Sequence, residues 1–495
     1  MKKYRIHLFS LVAALGLSSC DDYLDINDSP NSPTSENVTP NLALGGAITQ
    51  PYRTFAVLPN QLGNLFMNSW GANVNDYTGT YTVEFDLNID NSFYGRIWEN
   101  LYLTTLGLTN IQNFQSDSYN NHKAIAKIVK TFYFQYLVDL YGDAPYSQAH
   151  MPLNPTPAYD GAQSIYRGLV AELDAAVAMI DNAPTGTTAV AGEDPVFQGN
   201  MANWKRFANT LKMRLLIRES GLAASQAYIT AEFNELTASG AQFLTNDAKV
   251  NPGYSNANND KQNPFYNTFG NLTDDATPRS GYLATVATKN AIESLNGVKY
   301  GVNDPRISRL FKMNGSSWAG VIQGENATTA PNNLANIGPG LVKNSAQDGY
   351  IFTAAESYFL QSEAALKGYI TGDPKALFET GIQKSFDMLG ATGGAGYIAS
   401  INSVNKLGWD GTTGDKKEAI MTQKWIALMG TNGIESWIEY TRTGYPVTDL
   451  AITATRPNKP VRLMYPSSEY TSNANNVPSQ SQSDAFNIKV FWNNN

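Results

Sequence analysis

The chain contains one cysteine, Cys20, in 495 residues. A lone thiol cannot close an internal disulfide, so rigidity must come from packing and the thiol needs another reason to be present. Histidine is nearly as scarce, with only His7, His122 and His150. No His-Glu-x-x-His, second cysteine or phosphate-binding glycine loop accompanies them, so neither a zinc site nor a triad is suggested, and no cofactor or metal is expected. Charge is thin as well: 16% of residues are charged, where a quarter is usual. The net charge is −8 without a strongly basic segment. Nucleic acid is therefore excluded as a partner, since neutralising phosphates needs clustered Lys and Arg. After residue 20 no apolar run approaches the length that spans a bilayer. Asn, Gly, Ser, Thr and Tyr take the place of charge, and aromatics reach 11% with 27 Tyr and 8 Trp. Neutral polar surface with many flat rings suits an uncharged ligand, sugar or peptide, better than a polyanion.

The first residues carry a targeting signal. Lys2-Lys3 precedes the apolar run 8–17, which ends in Leu17-Ser18-Ser19-Cys20. A charged start, a short apolar core and small residues before a cut are the parts of a secretory signal, here 1–19. The last four residues resemble a bacterial lipobox, in which the cysteine is acylated and becomes residue one. The competing reading is an ordinary signal peptide with a chance cysteine. Acylation of Cys20 would put the protein on a membrane by its lipid anchor alone, since each buried methylene is worth about 0.8 kcal/mol and several chains hold where one does not. Residues 20–40 then read as a tether; the acidic stretch 21–28 is either a plain linker or a sorting signal.

Helical periodicity dominates two blocks. Ile125, Ile128, Val129, Phe132, Tyr136 and Leu140 recur at steps of three and four, and Gly142-Asp143-Ala144-Pro145 ends the run. Further stripes run through Ile165 to Ile180, Trp204 to Leu215 and Tyr228 to Leu236, and a second block starts near Phe352. Helix pairs at 121–182, 200–240, 352–390 and 415–441, within helical repeats over about 101–240 and 352–441, suggest a tetratricopeptide-like scaffold, although no clean repeat period is visible and an irregular helical domain competes. The segments 68–98, 245–350 and 443–490 are rich in Asn, Gly and Pro and read as loops with short strands. The fold expected is mostly α, a helix-pair scaffold with a loop-rich subdomain, over 41–495.

Sugar recognition needs flat apolar faces beside a few fixed polar groups. Three loop stretches offer both. The first holds Trp70, Asn73, Asp76 and Tyr77, with Tyr81 behind it; the others hold Tyr266 and Trp318. Each ring can equally pack its own loop onto the scaffold. The run 86–92 alternates oxygen ligands as a calcium loop begins, but it lacks the glycine at the sixth position and the acid at the twelfth, so a solvated turn is expected.

Motifs along the chain, taken together, resemble the SusD/RagB family of nutrient-binding outer-membrane lipoproteins. Tyr23-Leu24-Asp25-Ile26-Asn27 follows the lipobox, Asp143-Ala144-Pro145-Tyr146 follows a long helix, and Tyr358-Phe359-Leu360-Gln361-Ser362-Glu363-Ala364-Ala365 is similar to the family's alanine-rich helix. Gln423-Lys424-Trp425, Glu435-Ser436-Trp437, Arg442-Thr443-Gly444-Tyr445-Pro446 and Arg462-Leu463-Met464-Tyr465-Pro466 complete the order. The resemblance implies a SusD-like α-α superhelix. It also implies a partner, a SusC-like TonB-dependent transporter in the outer membrane, to which oligosaccharide, or alternatively peptide, is delivered at the cell exterior. No ligand residue carries over by motif. Read without a ligand, Trp425, Trp437 and Tyr440 belong to the core, and Arg442 and Arg462 bind carboxylates or loop carbonyls. Binding without catalysis is expected; glycoside hydrolysis, which needs only two carboxyl groups, is the alternative from another class.

Overall fold

A computed structural model describes residues 38–327 and 331–495. The signal 1–19, Cys20 and nearly all of the expected tether lie outside the described residues. Helices build the scaffold: α1 (Pro40–Phe55), α2 (Leu58–Phe66), α3 (Gly95–Asn113), α4 (Asn120–Tyr141), α5 (Ala162–Asp181), α6 (Met201–Glu219) and α7 (Gln226–Ala238). After the loop-rich middle come α8 (Ala354–Leu366), α9 (Pro374–Leu389), α10 (Gly394–Ile401), α11 (Thr413–Leu428) and α12 (Gly433–Thr443). The four expected pairs are α4/α5, α6/α7, α8/α9 and α11/α12. Local chemistry sets their limits. Asp373 caps α9 ahead of Pro374, Gly390 ends it in the left-handed region, and Thr412 with Asp415 forms a capping box on α11.

Helix α4 is the hub, buried over nearly its whole length. It faces α3, where Trp98 meets Tyr141 at 5.0 Å and Tyr102 meets Phe134 at 5.5 Å, and α5, where Asn120 donates to the Met179 carbonyl and Tyr166 to the Asp139 carboxylate. Phe55 of α1 packs on Phe132 and Tyr136. Neither α1 nor α2 is evident in the sequence, and α3 begins inside a segment expected to be loop. Gly45, Gly46 and Pro51 interrupt α1 as breakers would, yet its buried face of Leu44, Ile48, Tyr52 and Phe55 holds it against the hub. The segment 443–490 holds two short helices, Ser467–Ser472 and Asp484–Asn487, and no strand. No described helix is long and apolar enough to cross a membrane.

Two small sheets brace the loop-rich part. The strands are β1 (Trp70–Ala72), β2 (Ala248–Val250), β3 (Thr285–Ala287), β4 (Phe311–Lys312), β5 (Asn336–Ile337) and β6 (Gly349–Phe352). One antiparallel sheet has the order β1-β3-β5-β4, with Trp70 opposite Ala287 and Phe311 opposite Ile337; the other pairs β2 with β6.

Charges sit inside the helical scaffold. Arg218 reaches Glu439 at 2.7 Å, Glu435 at 2.9 Å and Asp139 at 3.4 Å. Lys424 lies 3.1 Å from Glu435, 3.2 Å from Glu439 and 3.5 Å from Glu356, which also meets Arg214 at 3.1 Å. Arg442 grips Glu363 at 2.7 Å and Glu439 at 2.5 Å. Burial works to raise the Glu439 carboxyl, but Arg442, Lys424 and Arg218 outweigh it and hold it well below the carboxylate range. Glu363 is likewise drawn down to about 2 by Arg442 and Lys367 against its burial. Arg442 thus binds carboxylates and Arg462 the Tyr141 and Leu463 carbonyls, as expected from the sequence.

Breaking a buried pair strands its partner. Replacing Arg218 by Met leaves Glu435 and Glu439 short of a cation and is expected to cost about 3–5 kcal/mol in urea denaturation. The acids give a pH test. Their folded values lie below the ordinary 4.5, so their contribution is complete above that pH and is lost as pH falls towards 2. The urea midpoint should therefore fall between pH 4.5 and pH 2, and less so in Glu363→Gln.

Candidate functional site: loops on the four-stranded sheet

The sheet is tied to the scaffold before any ligand is considered. Helix α2 crosses α12 backbone to backbone: a Cβ on Gly63 would lie 2.0 Å from the Gly433 carbonyl carbon. Asn60 donates to the Gly430 carbonyl and accepts from the Gly433 N–H, and Asn64 accepts from the Gly430 N–H. Three residues past α2, Ser69 accepts from the Trp425 indole at 3.0 Å. Gln323 donates to the Leu65 and Trp70 carbonyls at 2.9 and 2.7 Å, drawing the β4–β5 connection onto the start of β1.

The predicted ligand residues separate into two groups. Trp70 is 0% exposed and packs on Phe269 at 5.1 Å and Phe265 at 6.3 Å. Tyr266 is 2% exposed, its ring held against Gly270, where a Cβ would come within 2.6 Å. Both rings belong to the core and offer no face to a ligand; the reason is that Trp70 of β1 packs on the helical turn 265–269, and Tyr266 of that turn folds back on Gly270. The remaining five stay at the surface. Asn73 leaves β1 with its N–H on the Ala284 carbonyl, its amide donates to Asp76 at 3.0 Å, and its own carbonyl accepts from the Tyr77 N–H. Tyr77 and Tyr81 are half-buried and Asp76 is exposed. The Tyr81 hydroxyl shares a 2.7 Å hydrogen bond with Thr285 on β3, and burial pushes its pKa up to about 12.

Trp318 is half-buried on the long β4–β5 connection. Asn314 pins that connection by donating to the Leu334 carbonyl at 2.8 Å and to Asn336 of β5 at 2.5 Å. Ala319 pairs with Leu334, and Val321 with Thr288. The sheet thus brings the 73–81 loop and the 313–327 loop onto one small framework, although they are some 240 residues apart in sequence. Two further residues join them that sequence reasoning missed. Tyr282, half-buried just before β3, accepts through its carbonyl from Asn336. Glu325 lines a cleft of about 120 Å³ with Thr78, Thr80, Thr82 and Asp86. It accepts from the Ile322 N–H at 3.2 Å, and burial raises its pKa. The only available signal for either was position in an aromatic, Asn-rich segment. The cleft is too small to enclose a drug-sized ligand, for which about 300–1,000 Å³ is usual. A ligand here would lie across rings and amides rather than within a hole.

His122 and His150 are structural. His122 pairs with Glu193 at 3.0 Å, and His150 bridges Tyr102 and Thr109. The acidic cluster Asp174, Glu232 and Glu235 could hold a cation by geometry, but Lys212 already sits 2.7 Å from Asp174 and 2.6 Å from Glu232. Asp90 of the 86–92 run accepts from the N–H and hydroxyl of Ser92, a solvated turn.

A SusD-like family model, described as starch-binding and associating with the outer membrane, matches residues 35–466. Among solved structures, a chitin-binding SusD homolog from Flavobacterium johnsoniae superposes with a TM-score of 0.73 at 24% identity, covering 91% of this chain and 99% of its own. SusD homologs from Bacteroides thetaiotaomicron (TM-score 0.70, 22% identity, 91% and 99% covered) and Bacteroides fragilis (0.71, 19%, 89% and 95%) are similar in the same way. These likenesses concern the fold. No curated protein sequence matches the chain.

Proposed function

The chain belongs to the SusD-like family, and on that footing we propose that it is a cell-surface lipoprotein that captures oligosaccharide and delivers it to a SusC-like TonB-dependent transporter. The observation that carries this reading is the pairing of half-buried rings, Tyr77, Tyr81 and Trp318, with the neutral amides of loops braced by one sheet. Rings held part-way out of the surface can stack on sugar C–H faces, and Asn73 and Asp76 can exchange hydrogen bonds with hydroxyls. Tyr282 is added to that set, and Trp70 and Tyr266 are left out of it. The chitin-binding relative makes chitin fragments the first probe. Acylation of Cys20 would hold the protein at the outer membrane.

Glycoside hydrolysis is the competing reading, because Asp86 and Glu325 line the same cleft and Glu325 has a raised pKa. Incubation with chitin oligosaccharides separates the two. Binding predicts retardation in an affinity gel with the sugar intact; release of shorter sugars, abolished by Glu325→Gln, would establish the enzyme instead.

Two variants test the site and the anchor. Trp318→Ala should weaken glycan retention about tenfold, from the roughly 1–1.5 kcal/mol that a stacked aromatic face adds, with an unchanged melting temperature. Unaltered retention in both Trp318→Ala and Tyr77→Ala would remove this surface from consideration. Cys20→Ser should move the protein from the membrane fraction to the soluble one; a variant that still pellets is held by something other than acyl chains.

A further inference from the structure

Three neighbouring segments of the helical scaffold carry no charged side chain of their own, although the Asp160 and Glu469 carboxylates reach the 144–159 connection. The segments 38–52, 100–116 and 144–159 contain no Asp, Glu, Lys or Arg, in a chain where 16% of residues are charged. They are joined in space. Ala47 of α1 lies against Gly107 of α3, where an added Cβ would be 3.4 Å from the alanine methyl. The 144–159 connection is fastened to α3 at three points. Tyr102 donates its hydroxyl to the Pro145 carbonyl at 2.6 Å, and the His150 ring nitrogens lie 2.8 Å from the Tyr102 carbonyl and 2.8 Å from the Thr109 hydroxyl. A carbonyl only accepts, so Nε2 carries the proton and the neutral Nδ1 accepts from Thr109. Burial, with Lys130 nearby, lowers the His150 pKa to about 4, so the histidine of these segments is neutral at physiological pH.

The same three segments expose large apolar side chains. Leu153 is 98% exposed, Leu42 72%, Leu103 69%, Met151 50% and Leu106 37%. We infer that this face, α1 with α3 and the 144–159 connection, is where the protein docks on an uncharged surface of its membrane-embedded transporter; the inference rests on the transporter partnership proposed above. Three arguments choose that occupant. Protein interfaces are depleted of charge at their centre, because a charge buried there without a partner is costly. A lipid surface would be met by exposed Trp, Phe, Lys or Arg, and none of these is exposed on the face. The chain between Cys20 and Val38 leads directly into α1. Fully extended it spans about 60 Å, and as a flexible coil about 23 Å, so an anchor at Cys20 keeps this side of the scaffold within reach of a membrane protein. None of these residues belongs to the sheet or loops of the candidate ligand surface.

The test uses the full, acylated chain produced together with a SusC-like barrel and purified in mild detergent. Wild type and the control Val298→Glu, another exposed aliphatic position, should retain the barrel. The double variant Leu103→Glu, Leu153→Glu should lose it at least tenfold, with glycan retention and melting temperature unchanged. Should that variant unfold, Asn110→Arg places a charge on the same exposed face without removing an apolar contact, and the same loss is expected. Equal retention by the charged variants overturns the docking face and leaves the transporter reading intact. No barrel retained by wild type overturns the transporter reading itself. If the Cys20→Ser protein floats with phosphatidylethanolamine–lipopolysaccharide vesicles and the Leu103/Leu153 variant of it does not, the occupant is lipid and the proposal is wrong.

Discussion

The ion network between α4, α6, α8, α11 and α12 is the constraint on which the scaffold turns. Taking carboxylates out of water is expensive, and the attraction of one cation does not ordinarily repay it. Here each acid meets several partners: Glu435 touches Arg218 and Lys424, Glu439 touches those two and Arg442, and Asp139 also accepts from Tyr166, Gln135 and Trp492. Arg214 completes its surroundings with aromatic faces, its guanidinium 4.6 Å over Phe352 and 5.0 Å over Phe132. Apolar residues could supply comparable cohesion. The charges add register, because sliding α12 by one turn along α6 would move one of Glu435 and Glu439 into the other's place and leave the second unmatched in the interior. The five helices come from positions 120 to 443, so the network also fixes how distant parts of the chain meet.

That rigidity is passed to the loops through polar contacts. Asn60 and Asn64 bind the backbone just before α12, Gly63 allows α2 to lie against Gly433, and the Trp425 indole reaches Ser69 at the edge of β1. Lys424, next to that tryptophan, is a member of the ion network. The chain of contacts from buried charge to ligand loop is therefore only a few residues long. A loop-borne binding surface gains from such support, since a ligand then meets rings already in place.

The helix pairs were legible because their apolar stripes are long and their ends are marked by Gly, Pro and Asp. The motif arginines were legible too, since a guanidinium in a buried segment has few partners available. Helices α1 and α2 were not: Gly45, Gly46 and Pro51 read as breakers that only tertiary burial overrides, and α2, although Pro59 suits its first turn, is only 9 residues long. The surface was half legible. Composition located aromatic loops, but it could not separate Trp70 and Tyr266, which face inward, from Tyr77, Tyr81 and Trp318, which do not. That distinction depends on which residues pair with β3, and the pairing of Trp70 with Ala287 joins positions more than 200 apart, which no local pattern encodes.

Strain in the backbone points the same way. Among the described residues eight non-glycine residues have positive φ, and four of them, Asn68, Tyr81, Leu87 and Tyr94, fall within the stretch that carries the first ligand loop. Each such conformation costs on the order of 1–3 kcal/mol and persists only where surrounding contacts over-determine it. Those contacts are present. Asn68 donates to the Asp449 carbonyl while its own carbonyl accepts from Thr288 and Asn290, and Tyr81 is held by Thr285. Tyr94 donates to Glu84 and accepts from Gln61, both at 2.7 Å. A loop that only closed a gap could relax by a single glycine at each of these positions. Keeping bulky residues there, with partners on the sheet and on α2, is the arrangement expected where ring positions matter more than local stability.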